Sequence, residues 1–227
     1  MTKVHSRRTA IGSAAVGALL AAAGIAGLPA AVKAQRAVAS SQPKATYVAR
    51  LSALNTNVTR SSATGEARFT IRGDSLSITV NARGLPKDIE HWQHFHGFTD
   101  GRQAACPSGT ADVNHDGIID VVETGAAAGT TMVPFIGDPV SMDVPHGVYP
   151  RASADGTLEY SETVSLSALE AAFSKAFPGQ KLDLARRVVF IHGVPAATTL
   201  PASVASLGPI PAQVTLPIAC GRISAAR

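Results

Sequence analysis

The sequence predicts an all-β fold, a sandwich or barrel of about eight short strands with one short helix. Three observations carry this. Short runs alternate apolar and polar residues with a period of two, as in 65–72, where Ala67, Phe69 and Ile71 share one face and charged residues the other. Turn signals built on Gly, Pro, Asp and Asn separate these runs. One stretch, 168–176, carries apolar residues at helical spacing.

After a short polar entry at 40–43, residues 47–51 alternate as a strand, and a polar stretch through Asn55, Asn57 and Ser62 follows. Residues 65–72 and 75–82 alternate on either side of Gly73-Asp74, which makes 65–82 a hairpin with one buried face. Gly84-Leu85-Pro86 ends it, and a strand opening at His91 comes next. From 99 to about 130 the chain is rich in Gly, Ala, Asp and Thr, a loop of the length that usually has a function. Residues 133–136 and 141–144 are short strand candidates broken by prolines, 145–153 is irregular, and Asp155-Gly156 turns into a strand over 157–164. The helix over 168–176 has Ser167 as N-cap with Glu170 three residues on, a capping box. Leu169, Phe173 and Phe177 give it an apolar stripe, and Pro178-Gly179 stops it. Residues 187–192 are a near-continuous apolar run, a buried strand ending in His192. A loop with four prolines, 195–211, leads to a final strand over 213–220.

Residues 1–39 stand apart from this domain. Arg7 and Arg8 precede an uncharged apolar run over 10–31, and two small-residue cleavage candidates, Val32-Lys33-Ala34 and Ala37-Val38-Ala39, follow it. That is the order of an export signal, and the Ser6-Arg7-Arg8 start resembles the twin-arginine type. The run is long enough to span a bilayer, but its Gly and Ala richness and its small-residue end favour cleavage over a stable anchor. The expected location is therefore periplasmic or secreted, with 40–227 as a single domain.

The whole chain has a formal charge of +4, but five of its 20 Lys and Arg and none of its 16 acids lie in 1–39. The remainder holds 15 basic against 16 acidic residues, a charge of −1, so nothing in it argues for a nucleic-acid partner. Its two cysteines, Cys106 and Cys220, are expected to join in an exported chain, the alternative being two free buried thiols.

Two constellations carry chemistry. Asp112, Asn114 and Asp116, then Gly117, Ile118 offering its carbonyl, Asp120 and Glu123, fit each ligand position of the twelve-residue calcium loop. The flanks do not read as helices, so calcium here would order the long loop; the plainer alternative is an acidic, solvated segment. His94 and His96, two apart on a strand, project to one face, where they could share a metal with His192. Three or four imidazoles suit copper or zinc.

The stretch His91-Trp92-Gln93-His94-Phe95-His96-Gly97-Phe98-Thr99-Asp100 resembles the histidine strand of the copper/zinc superoxide dismutases. Cys106-Pro107-Ser108, Ala154-Asp155-Gly156, the 187–192 strand and Ile218-Ala219-Cys220-Gly221-Arg222-Ile223 resemble further segments of that family in the same order. The region 54–86, with Ala63-Thr64-Gly65-Glu66-Ala67, is also similar to the CHRD domain. The resemblance implies a Greek-key β-barrel or sandwich, copper ligands at His94, His96 and His192, a non-ligating role for His91, and a Cys106–Cys220 disulfide. Asp112 stands where the family keeps its bridging histidine, and the zinc histidines have no matches, so a zinc subsite is not expected. A fourth copper ligand would come from His146 or His115, and Arg151 or Arg222 would replace the family's substrate-guiding arginine, whose place Pro217 takes. Two readings follow. The first is an exported, zinc-free copper superoxide dismutase acting on superoxide or another small molecule; the second is a non-catalytic CHRD-like module that binds calcium or holds copper.

Overall fold

The structure, a computed structural model, describes residues 43–227; the expected export segment lies outside the described residues. Eight strands form one antiparallel sheet: β1 Ala45–Ala53, β2 Thr64–Arg72, β3 Ser75–Arg83, β4 Gln93–Gly97, β5 Thr130–Pro134, β6 Leu158–Ser165, β7 Val188–His192 and β8 Pro217–Ala225. Their order across the sheet is β5-β4-β7-β8-β1-β2-β3-β6. The all-β expectation holds.

The hairpin forms as the alternation requires, with Phe69 opposite Ile78 and Ala67 opposite Val80, all buried. The inward residues of every strand feed one apolar core, so the sheet must curl around it. Its two edge strands come together where the Tyr160 hydroxyl of β6 donates to the Ile136 carbonyl just past β5, at 2.8 Å. Beside that bond Phe135 stacks on Tyr160, with ring centroids 6.0 Å apart. The helix Leu166–Ala176 packs Leu169 and Phe173 into the core, Phe173 lying 6.3 Å from Phe95. Burying one such ring is worth roughly 1.5–3 kcal/mol.

Expected boundaries move: the strand expected over 133–136 runs Thr130–Pro134, and three further shifts have identifiable causes. The helix starts at Leu166 with Ser165 as its cap, whose Oγ accepts from the Ala168 N–H at 3.2 Å. Asp74, from the β2–β3 turn, accepts the Ser167 N–H at 2.9 Å and both serine hydroxyls, so the Ser167–Glu170 capping box is not used. Residues 141–144 are not a strand: Pro139 opens a short 3₁₀ turn over Pro139–Ser141, capped by the Asp138 side chain. The C-terminal strand begins at Pro217 instead of 213, because Pro211 opens a helical turn over Ala212–Thr215.

The two cysteines are joined. The Cys106–Cys220 disulfide spans a sequence separation of 114 and ties the long loop to β8. No helix among the described residues is long and apolar enough to cross a membrane.

Candidate metal centre

On β4 the two-residue period sends Phe95 into the apolar core and leaves His94 and His96 together on the other face. On β7, Val189 and Ile191 face the core, and His192 ends the strand beside the pair. Two register irregularities fall at these residues, between Phe95 and His96 against β5 and between Ile191 and His192 against β8. Such bulges re-aim side chains, and here each sits at a histidine of the cluster. Gly97 allows the chain to pass the buried Arg187, whose guanidinium a Cβ at this position would strike.

Nitrogens of His94, His96 and His192 lie within 4.8 Å of one another. The rings are 1–3% exposed, and the His94 ring centroid is 4.8 Å from that of His96 and 4.7 Å from that of His192. Burial, then the neighbouring rings, holds His94 well below the ordinary imidazole range. Burial and His192 lower His96 to about 3, and burial lowers His192 to about 4. All three are therefore neutral at physiological pH and keep a lone pair each.

Hydrogen bonding determines which lone pairs remain. His192 Nδ1 donates to the Thr215 carbonyl at 2.7 Å, which fixes the tautomer and leaves Nε2 free, the arrangement of a histidine prepared for a metal. His96 Nε2 lies 3.1 Å from the Thr131 hydroxyl. Among the described residues, the buried side-chain atoms without a hydrogen-bond partner are His94 Nδ1, His96 Nδ1, His192 Nε2 and, on the core side of β4, Gln93 Oε1. Each unpartnered buried polar atom costs about 1–3 kcal/mol, and an ion taking the imidazole lone pairs would remove most of that cost. The donor set thus fits a transition metal.

No fourth imidazole among the described residues joins the trio. The His146 side chain is 81% exposed and bonds Asp143 at 2.9 Å, and His115 is exposed on the acidic loop. Neither belongs to the cluster. His91 is buried with Nδ1 facing the His192 carbonyl and Nε2 facing the Pro86 carbonyl, both at 2.8 Å, and donates its ring N–H to one of them. It braces the end of β7, and both ring nitrogens are directed at these carbonyls.

Beside the trio is a cavity of about 20 Å³, room for about one water-sized particle. Trp92, Val121, Thr131, Val144, Leu207 and Thr215 line it with His94 and His192, and the lining has no Lys or Arg. The Arg151 side chain donates to the Asp88 carbonyl and its backbone forms an isolated β-bridge with Glu90, while Arg222 lies on the outer face of β8. Neither replaces the guiding arginine.

The acidic loop closes on itself. Asp112 Oδ2 accepts from Gly117 N at 2.9 Å, and Gly117 adopts φ +83°, a turn that a side chain would strain. Glu123 accepts the Val113 and Asp120 N–H groups at 2.9 and 3.0 Å. Asp116 accepts from Ile118 N and from the Ser203 hydroxyl, and hydrogen bonding, Ser203 first, holds its carboxyl below the usual range. Asn114 contributes Oδ1 to Asp116 N at 2.9 Å. Asp120 and Glu123 are buried, and no described basic group lies within 4 Å of any of the four acids.

Sequence reasoning missed what holds this loop in place. Asn55 bonds both the N–H and the carbonyl of Ile119 at 2.8 Å, Asn57 bonds the Gly117 carbonyl, and Asp120 accepts Ala205 N at 2.7 Å. The two asparagines, alone in a polar stretch, were the available signal; Ser203 and Ala205 offered none.

A scan of protein-family models gives no match to this chain, and a search of curated proteins gives no significant similarity.

Proposed function

We propose that this domain is a metal-holding module of an exported compartment, with one copper ion on His94, His96 and His192. The single observation that supports it is the set of buried imidazole nitrogens without partners, brought together from two strands. Copper is favoured because imidazole ligands suit it and because it heads the affinity order of the divalent first-row metals. The motif order shared with the copper/zinc superoxide dismutases points the same way. When bound, copper supplies one-electron redox chemistry; the protein's own part is to keep the imidazoles neutral, fix the His192 tautomer through Thr215 and exclude water.

Two observations favour holding over turnover. Among the described residues the cluster has no fourth imidazole, and the cavity lining has no cationic side chain to draw in an anion such as superoxide. The second reading, a zinc-free superoxide dismutase with the Greek-key barrel of that family, draws on the same trio and motif order. For the loop, two buried carboxylates without a basic partner favour a calcium ion at 112–123.

Copper titration of the mature protein tests the first reading. One ion per chain is expected, lost in His94→Ala and His192→Ala and retained in His146→Ala, with no superoxide removal above that of the metal-free protein. Rapid removal that disappears in the His94 and His192 variants would establish the enzyme instead. Unchanged copper stoichiometry in both variants would sink the site.

A further inference from the structure

The charges on the outer face of β8, β1 and β2 are arranged unevenly. In the β1–β8 pairing, Ala49 stands opposite Ile223 and Ser52 opposite Cys220, so the same register sets Arg50 opposite Arg222. Like charges facing across a ladder destabilise it unless something neutralises them. The carboxylate across the other ladder, Glu66 opposite Arg50 on β2, is committed to Arg68 at 2.6 Å. Arg227 closes the same groove, so four arginine side chains share one acidic side chain in a concavity of about 700 Å³. No described acid lies within 4 Å of Arg50, Arg222 or Arg227.

The groove has no aromatic residue on which a base or sugar ring could stack. Its one sizeable apolar side chain, Val48, is half-buried, and the exposed ones that could enter a membrane, Val113, Val122, Val148 and Leu207, all lie elsewhere. What it offers is guanidinium groups, which grip tetrahedral oxyanions through paired N–H donors. We propose that this groove binds a phosphate group, with Arg50 and Arg222 as its principal ligands and Arg227 at its rim. The site is independent of the histidine cluster.

Calorimetric titration of the full chain with tripolyphosphate, without added divalent cations, tests the proposal, with orthophosphate and anionic phospholipid vesicles as further arms. Tripolyphosphate should bind, orthophosphate more weakly, and Arg50→Gln/Arg222→Gln should weaken both by on the order of tenfold per arginine. Arg102→Gln, an exposed arginine on another loop, should leave binding unchanged. In phosphate-free buffer Arg222→Gln should raise the melting temperature, because it removes a like-charge pair, and it should shrink the gain that tripolyphosphate gives. Absence of phosphate binding, equal binding by the double variant, or binding only to vesicles would overturn the site, as would a fall in melting temperature for Arg222→Gln. None of these outcomes bears on copper retention.

Discussion

The histidine cluster and the acidic loop meet at Val121, which lines the cavity between them, but they are built in opposite ways. The cluster joins strands nearly a hundred residues apart in sequence, is buried, and leaves one nitrogen of each ring without a partner. The loop is local, and its carboxylates are already occupied by backbone N–H groups of their own segment. A site assembled from distant strands depends on the sheet for its geometry. A site assembled from one segment depends on its own turns and needs the rest of the molecule only as an anchor.

The largest test of that contrast is the disulfide, which fastens the long loop to β8. Replacing both cysteines by alanine should cost about 4–5 kcal/mol in denaturant unfolding, the chain-entropy value for a loop this long. It should also weaken copper retention, since Cys220 pairs with Phe190, two residues before His192 on β7. Normal stability in the double variant would mean that the loop is held by its other contacts.

Next in size is calcium. At a concentration one hundredfold above its dissociation constant, calcium should stabilise the domain by about 2.7 kcal/mol. Glu123→Gln should remove that gain while leaving copper stoichiometry intact. If the variant lost both metals, the two regions would be one cooperative site and the contrast would fail.

Acid should separate them as well. The imidazoles of His96 and His192 titrate at about 3 and about 4 in the fold, below the ordinary value near 6.5. Between these limits the unfolded chain binds more protons than the folded one, so metal-free stability is full above about pH 6.5 and declines toward pH 4. The decline should be shallower in His192→Ala, which removes one of the depressed imidazoles. Thermal melts of the metal-free protein across this range measure it.

The smallest effect belongs to Asn55. Its amide holds both polar groups of Ile119 and the Pro217 carbonyl, and its φ of 52° suits asparagine. Asn55→Gly should cost about 1–3 kcal/mol, the range for unpaired buried groups, and lower calcium affinity more than copper affinity. Equal losses for the two metals would count against separate anchoring.

Where patterns are local, the sequence was a good guide. The 65–82 alternation, the shared face of His94 and His96, and the twelve-residue spacing of the acidic loop could all be read without coordinates. Positions set by distant segments were not legible. Asp74 moves the helix cap from Ser167 to Ser165 across 91 residues of chain, and Ser203 and Ala205 reach the acidic loop from a segment without pattern. The Thr215 carbonyl that fixes the His192 tautomer is a backbone group, which residue type cannot announce.

The irregularities at His96 and His192 have a consequence for the folding of the chain. A one-residue slip of β4 would exchange its two faces, putting Phe95 outside and both imidazoles in the core. Correct alignment of β4 and the gathering of the three imidazoles are therefore one event, so metal uptake would report on strand register.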